Sequence, residues 1–175
     1  MSGISTSSRA DGSAGGLAGH PAVIWLFGGG FVDRLSAPAA WGVSAVLLAA
    51  RVWLATPFFK AGMARVEGWD RQAMLFEWIH PVPFLAPSVA AVVTTVGELT
   101  LSILLVVGLL GRLSGLGLAV MAATIFFVVG QTPEGQENGI AIAAEQLPWM
   151  FVGLAIFAVG PGRIAVDQLI QRWLR

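Results

Sequence analysis

The residues able to do chemistry are few, and they stand in apolar surroundings. Glu98 lies in "TTVGELTLS" (94–102), inside an apolar run from Val89 to Leu110, and Arg51 lies in another run from about Trp41 to Ala64. A charge at the centre of a bilayer costs roughly 2.5 to 3.5 kcal/mol on insertion scales, so each needs a partner or a task. A carboxylate held beside hydroxyls accepts a proton or a hydroxyl hydrogen bond, which makes Glu98 a candidate proton or quinone site. Thr94 and Ser102 stand four positions before and after it, on the same helical face.

Depth gives Glu98 an expected partner. Counted from outer boundaries at Ala64 and Leu85, Arg51 and Glu98 both lie 13 positions deep, about 20 Å at 1.5 Å per residue. The expectation is an ion pair near the midplane, acting either as a clamp on helix register or as part of a quinone site. Thr124, with Gly117, Met121 and Gln131 on the third helix, extends that polar patch. On the first helix Phe58, Gly62 and Arg65 fall within about 40° of Arg51, whereas Lys60 falls about 180° away. Lys60 therefore either snorkels to the outer headgroups or contacts an anion or cofactor there. His80, between "FEWI" and "PVPF", either caps a helix in the aromatic belt or hydrogen-bonds a quinone carbonyl. Glu145 and Gln146 fall at the same outer mouth, and Trp69, Trp78 and Trp149 read as belt anchors.

The elements that position these residues are membrane helices. Of 175 residues, 56% are hydrophobic and 11% charged, with a mean hydropathy of +0.78, against roughly 25% charged in an ordinary soluble domain. The fold class is all-α: a membrane-spanning four-helix bundle with an N-terminal interfacial segment and a short outer amphipathic helix. Spans are expected at about Trp41–Ala64, Leu85–Leu110, Leu113–Gly130 and Leu147–Val159, and an outer helix at Asp70–Ile79. The domain plan is a disordered cytoplasmic tail (1–19), an interfacial segment (20–38), the transmembrane domain (39–163) and a basic amphipathic helix (164–175) suited to an anionic leaflet. Arg9, Arg34, Arg112, Arg163, Arg172 and Arg175 crowd one side against Arg65 and Arg71 on the other, which puts both termini in the cytoplasm.

Composition also excludes. Ten Lys plus Arg balance ten Asp plus Glu, leaving no basic excess for nucleic acid. With no Cys and only His20 and His80, no metal or haem site is expected, and redox chemistry would need a borrowed cofactor such as quinone.

"FFKAGMARVEGW" after Arg51, "PVPF" before the second span, "GELTLSILLVVGLLGR" within it and "GPGRIAVD" after the fourth occur in an order and spacing that resembles the DoxX family. The resemblance covers about Leu47 to Asp167, with Ala165 where the family often has Ser. It implies a charged core at Arg51 and Glu98, a terminal motif at Gly160, Pro161, Gly162 and Asp167, and a small bacterial membrane protein. Relatives are described as membrane subunits of thiosulfate:quinone oxidoreductases or accessories of oxidative-stress complexes. Three functions are therefore expected in order: an accessory or anchor subunit of a redox membrane complex that binds quinone, a quinone-reducing oxidoreductase subunit, and a transport or export helper. The expected partners are the lipid bilayer and either another protein of a complex or further copies of the chain.

Overall fold

Proline marks where the long helices begin. Pro38 and Pro87 occupy the first turns of α1 (Ala37–Glu67) and α3 (Pro87–Val107), where a missing amide has no helical acceptor to lose. Glycine marks where α3 stops: Gly108 takes a φ of 76°, and its amide closes the last turn onto the carbonyls of Leu104 and Leu105. The computed structural model describes residues 25–27, 30–79, 81–82, 84–140 and 145–174. The expected tail (1–19) and His80 lie outside them.

A 3-10 turn (Trp69–Arg71) leads into α2 (Gln72–Trp78), so the expected outer helix is present in two pieces. After α3 come α4 (Gly111–Phe127), a 3-10 turn (Val129–Gln131), the short α5 (Pro133–Glu137), α6 (Gln146–Val159) and α7 (Val166–Leu174). Every regular element among the described residues is helical. Ala37–Glu67, Pro87–Val107 and Gly111–Gln131 are long and apolar enough to cross a membrane, while α6 is apolar but has 14 residues.

These four helices form a bundle in which α1 pairs with α3 and α4 with α6, closed by α3 on α4 and α1 on α6. Small residues set the approach of α4 and α6. A Cβ on Gly115 would stand 3.0 Å from the Gly153 carbonyl, and one on Gly153 would stand 2.8 Å from the Ala119 Cβ. Lipid gives helices no hydrophobic reason to associate, so backbones that touch through small side chains supply the packing. Leu54, Phe58, Leu105, Leu118 and Ile156 fill the centre.

The register of α1 on α3 differs from the depth count. Gly62 sits against Leu99 and Glu98, with a position-62 Cβ 3.4 Å from that of Glu98, and Gly108 sits against the Arg51 guanidinium. The residue level with Glu98 is thus 62 rather than 51, eleven positions and about 16 Å away at 1.5 Å per residue. Arg51 does not meet Glu98. The count failed because Ala64 and Leu85 are not level: the first turns of α3 are covered by α2, whose Phe76 packs on Ala90 and Ala91.

Arg51 instead joins a polar knot at the other end of the bundle. It is fully buried and donates to the carbonyls of Leu105 and Ile164. Asp167, also fully buried, accepts from the Leu110 and Gly111 amides, each at 2.8 Å, and its own amide donates to the Gly108 carbonyl at 3.0 Å. Arg112, counted in the sequence among the cytoplasmic-side arginines, is buried as well. Its guanidinium donates to the carbonyls of Phe157, Ala158 and Val159, which the end of α6 leaves without helical donors. Burial raises the Asp167 carboxyl above its ordinary range, and the Gly111 and Leu110 amides, then Arg51 and Arg112, act against that rise. From the expected interfacial segment, the Trp25 ring lies 4.8 Å from the Arg112 guanidinium, and Val32 is fully buried.

Asp167→Ala leaves the Leu110 and Gly111 amides without their acceptor and takes the carboxylate out of the field of two buried guanidiniums. We expect a loss of about 2 to 5 kcal/mol, at about 1 to 3 kcal/mol for each unsatisfied donor, read as a lowered midpoint in helical circular dichroism melts in detergent. Lys60→Ala, at an exposed position, is the reference, and equal midpoints for the two variants would refute the role of the knot.

Candidate functional site

Glu98 lies midway along the 21-residue α3, eleven positions past Pro87, and takes a different partner. Arg65 on α1 donates to its Oε2. Positions 62 and 65 are one turn apart, so the close approach at Gly62 brings the Arg65 stem alongside α3. The Glu98 side chain is 2% exposed and that of Arg65 19%, so the carboxylate is the more deeply enclosed of the two. The Arg65 guanidinium also lies 5.5 Å from the centroid of the Phe76 ring, a cation–π contact that holds it over α2.

This ion pair lines a cavity of about 550 Å³. Its walls are mostly apolar, with Phe58, Leu101 and Met121 among them, and its polar groups are Arg65, Glu98, Thr94, Thr124 and Gln146. Trp149 closes one side, its ring tilted at 59° to that of Phe58 with centroids 5.3 Å apart. Trp149 is therefore a cavity wall rather than a belt anchor. The Thr124 hydroxyl donates to the Val120 carbonyl at 2.9 Å, leaving its lone pairs for a ligand. The Oε1 of Gln146 is buried and has no hydrogen-bond partner among the described residues. Val93 and Val120, on the cavity lining, are 59% and 55% exposed, so the cavity opens sideways between α3 and α4 onto the surface that meets lipid.

Of the residues singled out in sequence, Glu98, Thr94 and Thr124 come together here. Arg51 stands at the opposite end. Ser102 is buried and lines a separate groove of about 330 Å³ with Lys60, Thr56 and Phe59, so the helical spacing that joined it to Glu98 does not bring it to the cavity. Lys60 is exposed on the face opposite the core, and Gln131 is exposed and bonded to the Phe126 carbonyl. Gln146 reaches the cavity while its neighbour Glu145 stays exposed. Arg65 is the residue the sequence reading placed outside the membrane. Its signal was present, since it shares the helical face of Arg51 and Gly62.

Residues 46–131 match the DoxX family model. The chain carries a DoxX-family domain. Nothing matches it among the curated proteins or the solved structures. The matched residues supply the α1, α3 and α4 walls of the cavity and the Arg65–Glu98 pair, whereas Gln146, Trp149 and Asp167 lie beyond them.

A double-mutant cycle checks the pairing. Glu98→Gln and Arg65→Gln should each lower the melting midpoint, and the double variant should lose less than the sum, with a coupling of about 1 to 3 kcal/mol. Arg51→Gln combined with Glu98→Gln should be additive. Coupling to Arg51 and not to Arg65 would refute the register described above.

Proposed function

We propose that this DoxX-like membrane protein is an accessory or anchor subunit of a redox membrane complex and that its cavity takes the head of a quinone. The observation carrying the reading is an apolar cavity, open sideways to lipid, that holds one buried ion pair and one unpaired acceptor. A lipid-soluble ligand can enter between α3 and α4 without crossing water.

The residues present fit such a head. Arg65 offers guanidinium donors to a carbonyl oxygen, and Glu98 and the Gln146 Oε1 offer acceptors to a hydroxyl. Phe58, Leu101, Met121 and Trp149 give the ring and its substituents apolar walls. When bound, a quinone supplies two-electron, two-proton chemistry that a chain without cysteine cannot supply from its own side chains. Glu98 is placed to exchange a proton with a bound hydroxyl, and Arg65 to offset the charge of the bare carboxylate. Within this reading the partner subunit carries the electron-transfer centre, and lipid and that partner cover the outer surface of the bundle.

Protein purified in mild detergent from quinone-rich bacterial membranes should release close to one quinone per chain into organic solvent. Gly97→Phe projects a ring into the cavity, where a Cβ at position 97 meets only the flexible Met121 side chain, at 3.6 Å. It should release at least about tenfold less quinone while melting normally, a loss equal to about 1.4 kcal/mol of binding. Native protein that is folded and free of quinone would end the proposal.

The same reading places the chain in the bacterial inner membrane with both termini cytoplasmic. Arg34 and Arg163 lie at the end of the bundle from which α7 departs, and Arg172 lies on α7 itself. A phosphatase fused after Arg175 should therefore be inactive and a fluorescent protein at the same site bright, with the reverse pattern overturning the topology.

A further inference from the structure

Helix α7 is docked with its polar side inward. Asp167, Gln168 and Gln171 are buried, whereas Leu169 is 62% and Trp173 88% exposed. A water-soluble protein packs its surface helices the other way. The arrangement suits a helix lying along a bilayer surface, with Leu169 and Trp173 at the boundary between headgroups and acyl chains.

Between α7 and the 3-10 turn Val32–Arg34 lies a polar cavity of about 310 Å³, lined by Asp33, Arg163, Gln168, Gln171 and Arg172. It is separate from the cavity around Glu98. Gln168 is 5% exposed, and its Nε2 is buried with no hydrogen-bond partner among the described residues. A buried donor left unpaired is costly, so the site calls for an acceptor. Two guanidiniums and an amide donor suit phosphate oxygens, which arginine binds through paired N–H groups. Asp33 adds a carboxylate to the same lining, which suits a positive group carried next to the phosphate.

We propose that this cavity is a headgroup site for a phospholipid bearing a primary ammonium group beside its phosphate. Arg163, Arg172 and Gln168 hold the phosphate, and Asp33 accepts from the ammonium. A glycerol headgroup leaves Asp33 without a cation, and a quaternary ammonium has no N–H to give it.

The test uses the full chain, delipidated in detergent and offered equimolar phosphatidylethanolamine, phosphatidylglycerol and phosphatidylcholine with matched acyl chains. Native mass spectrometry counts the lipid retained. Phosphatidylethanolamine should be retained at least about fivefold over the other two, within the range of one charge-assisted hydrogen bond. Arg163→Gln with Arg172→Gln should reduce retention of all three at least about tenfold, and Asp33→Asn should abolish the preference while keeping the binding. Should the double variant melt early, Arg172→Gln alone, at an exposed position, is expected to lower retention in the same direction. Equal retention of the three lipids, or retention untouched by loss of the arginines, overturns the proposal. Displacement of lipid by millimolar inorganic phosphate would reassign the site to a free anion and overturn it equally.

Discussion

The buried carboxylate of Asp167 is the constraint around which the bundle is arranged. It bonds the two amides that open α4, lies in the field of two buried guanidiniums, and sits on a residue whose own amide is tied to the turn after α3. Two positive charges and one negative charge cannot settle in such a place by mutual attraction alone. The remaining field is supplied by carbonyls: Leu105 and Ile164 for Arg51, and the frayed end of α6 for Arg112. Arg51 stands midway along α1 and the other groups belong to helix ends or turns, so the knot fixes at once where α1 stands against α3 and where α4 stands against α6.

The opposite end of the bundle is built on looser terms. There a single ion pair spans α1 and α3, and the space between α3, α4 and α6 stays open as a cavity. The tight line of Gly115, Ala119 and Gly153 joins α4 to α6, while Gly97 and Gly117 on the α3 and α4 surfaces meet the flexible side chains of Met121 and Leu101. Backbone contact on one seam and side-chain contact on the other put the tighter packing away from the cavity. A charged pair placed in the soft half is exposed to whatever enters, whereas the charges of the hard half are sealed.

Sequence carried the all-helical membrane architecture, the approximate bounds of the apolar helices, and the inward turn of Glu98, because hydropathy and the 3.6-residue period record burial directly. It carried the faces of α1 as well: Phe58 and Gly62 are buried and Lys60 is exposed. What it did not carry was the offset between α1 and α3. That offset depends on α2 covering the start of α3, a contact between segments that no periodicity within either helix encodes. A count of depth from two assumed boundaries thus matched Glu98 with the wrong arginine. The terminal motif shows the reverse case. "GPGRIAVD" was legible as a pattern, yet its use in sealing Arg51 and Arg112 emerges only when the chain returns to the turn at Gly108.

Asp167 follows every spanning helix in chain order, whereas its partners Arg51, Gly108, Leu110, Gly111 and Arg112 all precede α6. A ribosome makes them in that sequence. Arg51 and Arg112 are therefore made before their carboxylate exists. Completion of the bundle is thereby tied to a residue made after all four of its helices, and a chain stopped after α6 still lacks the counter-charge at their shared end.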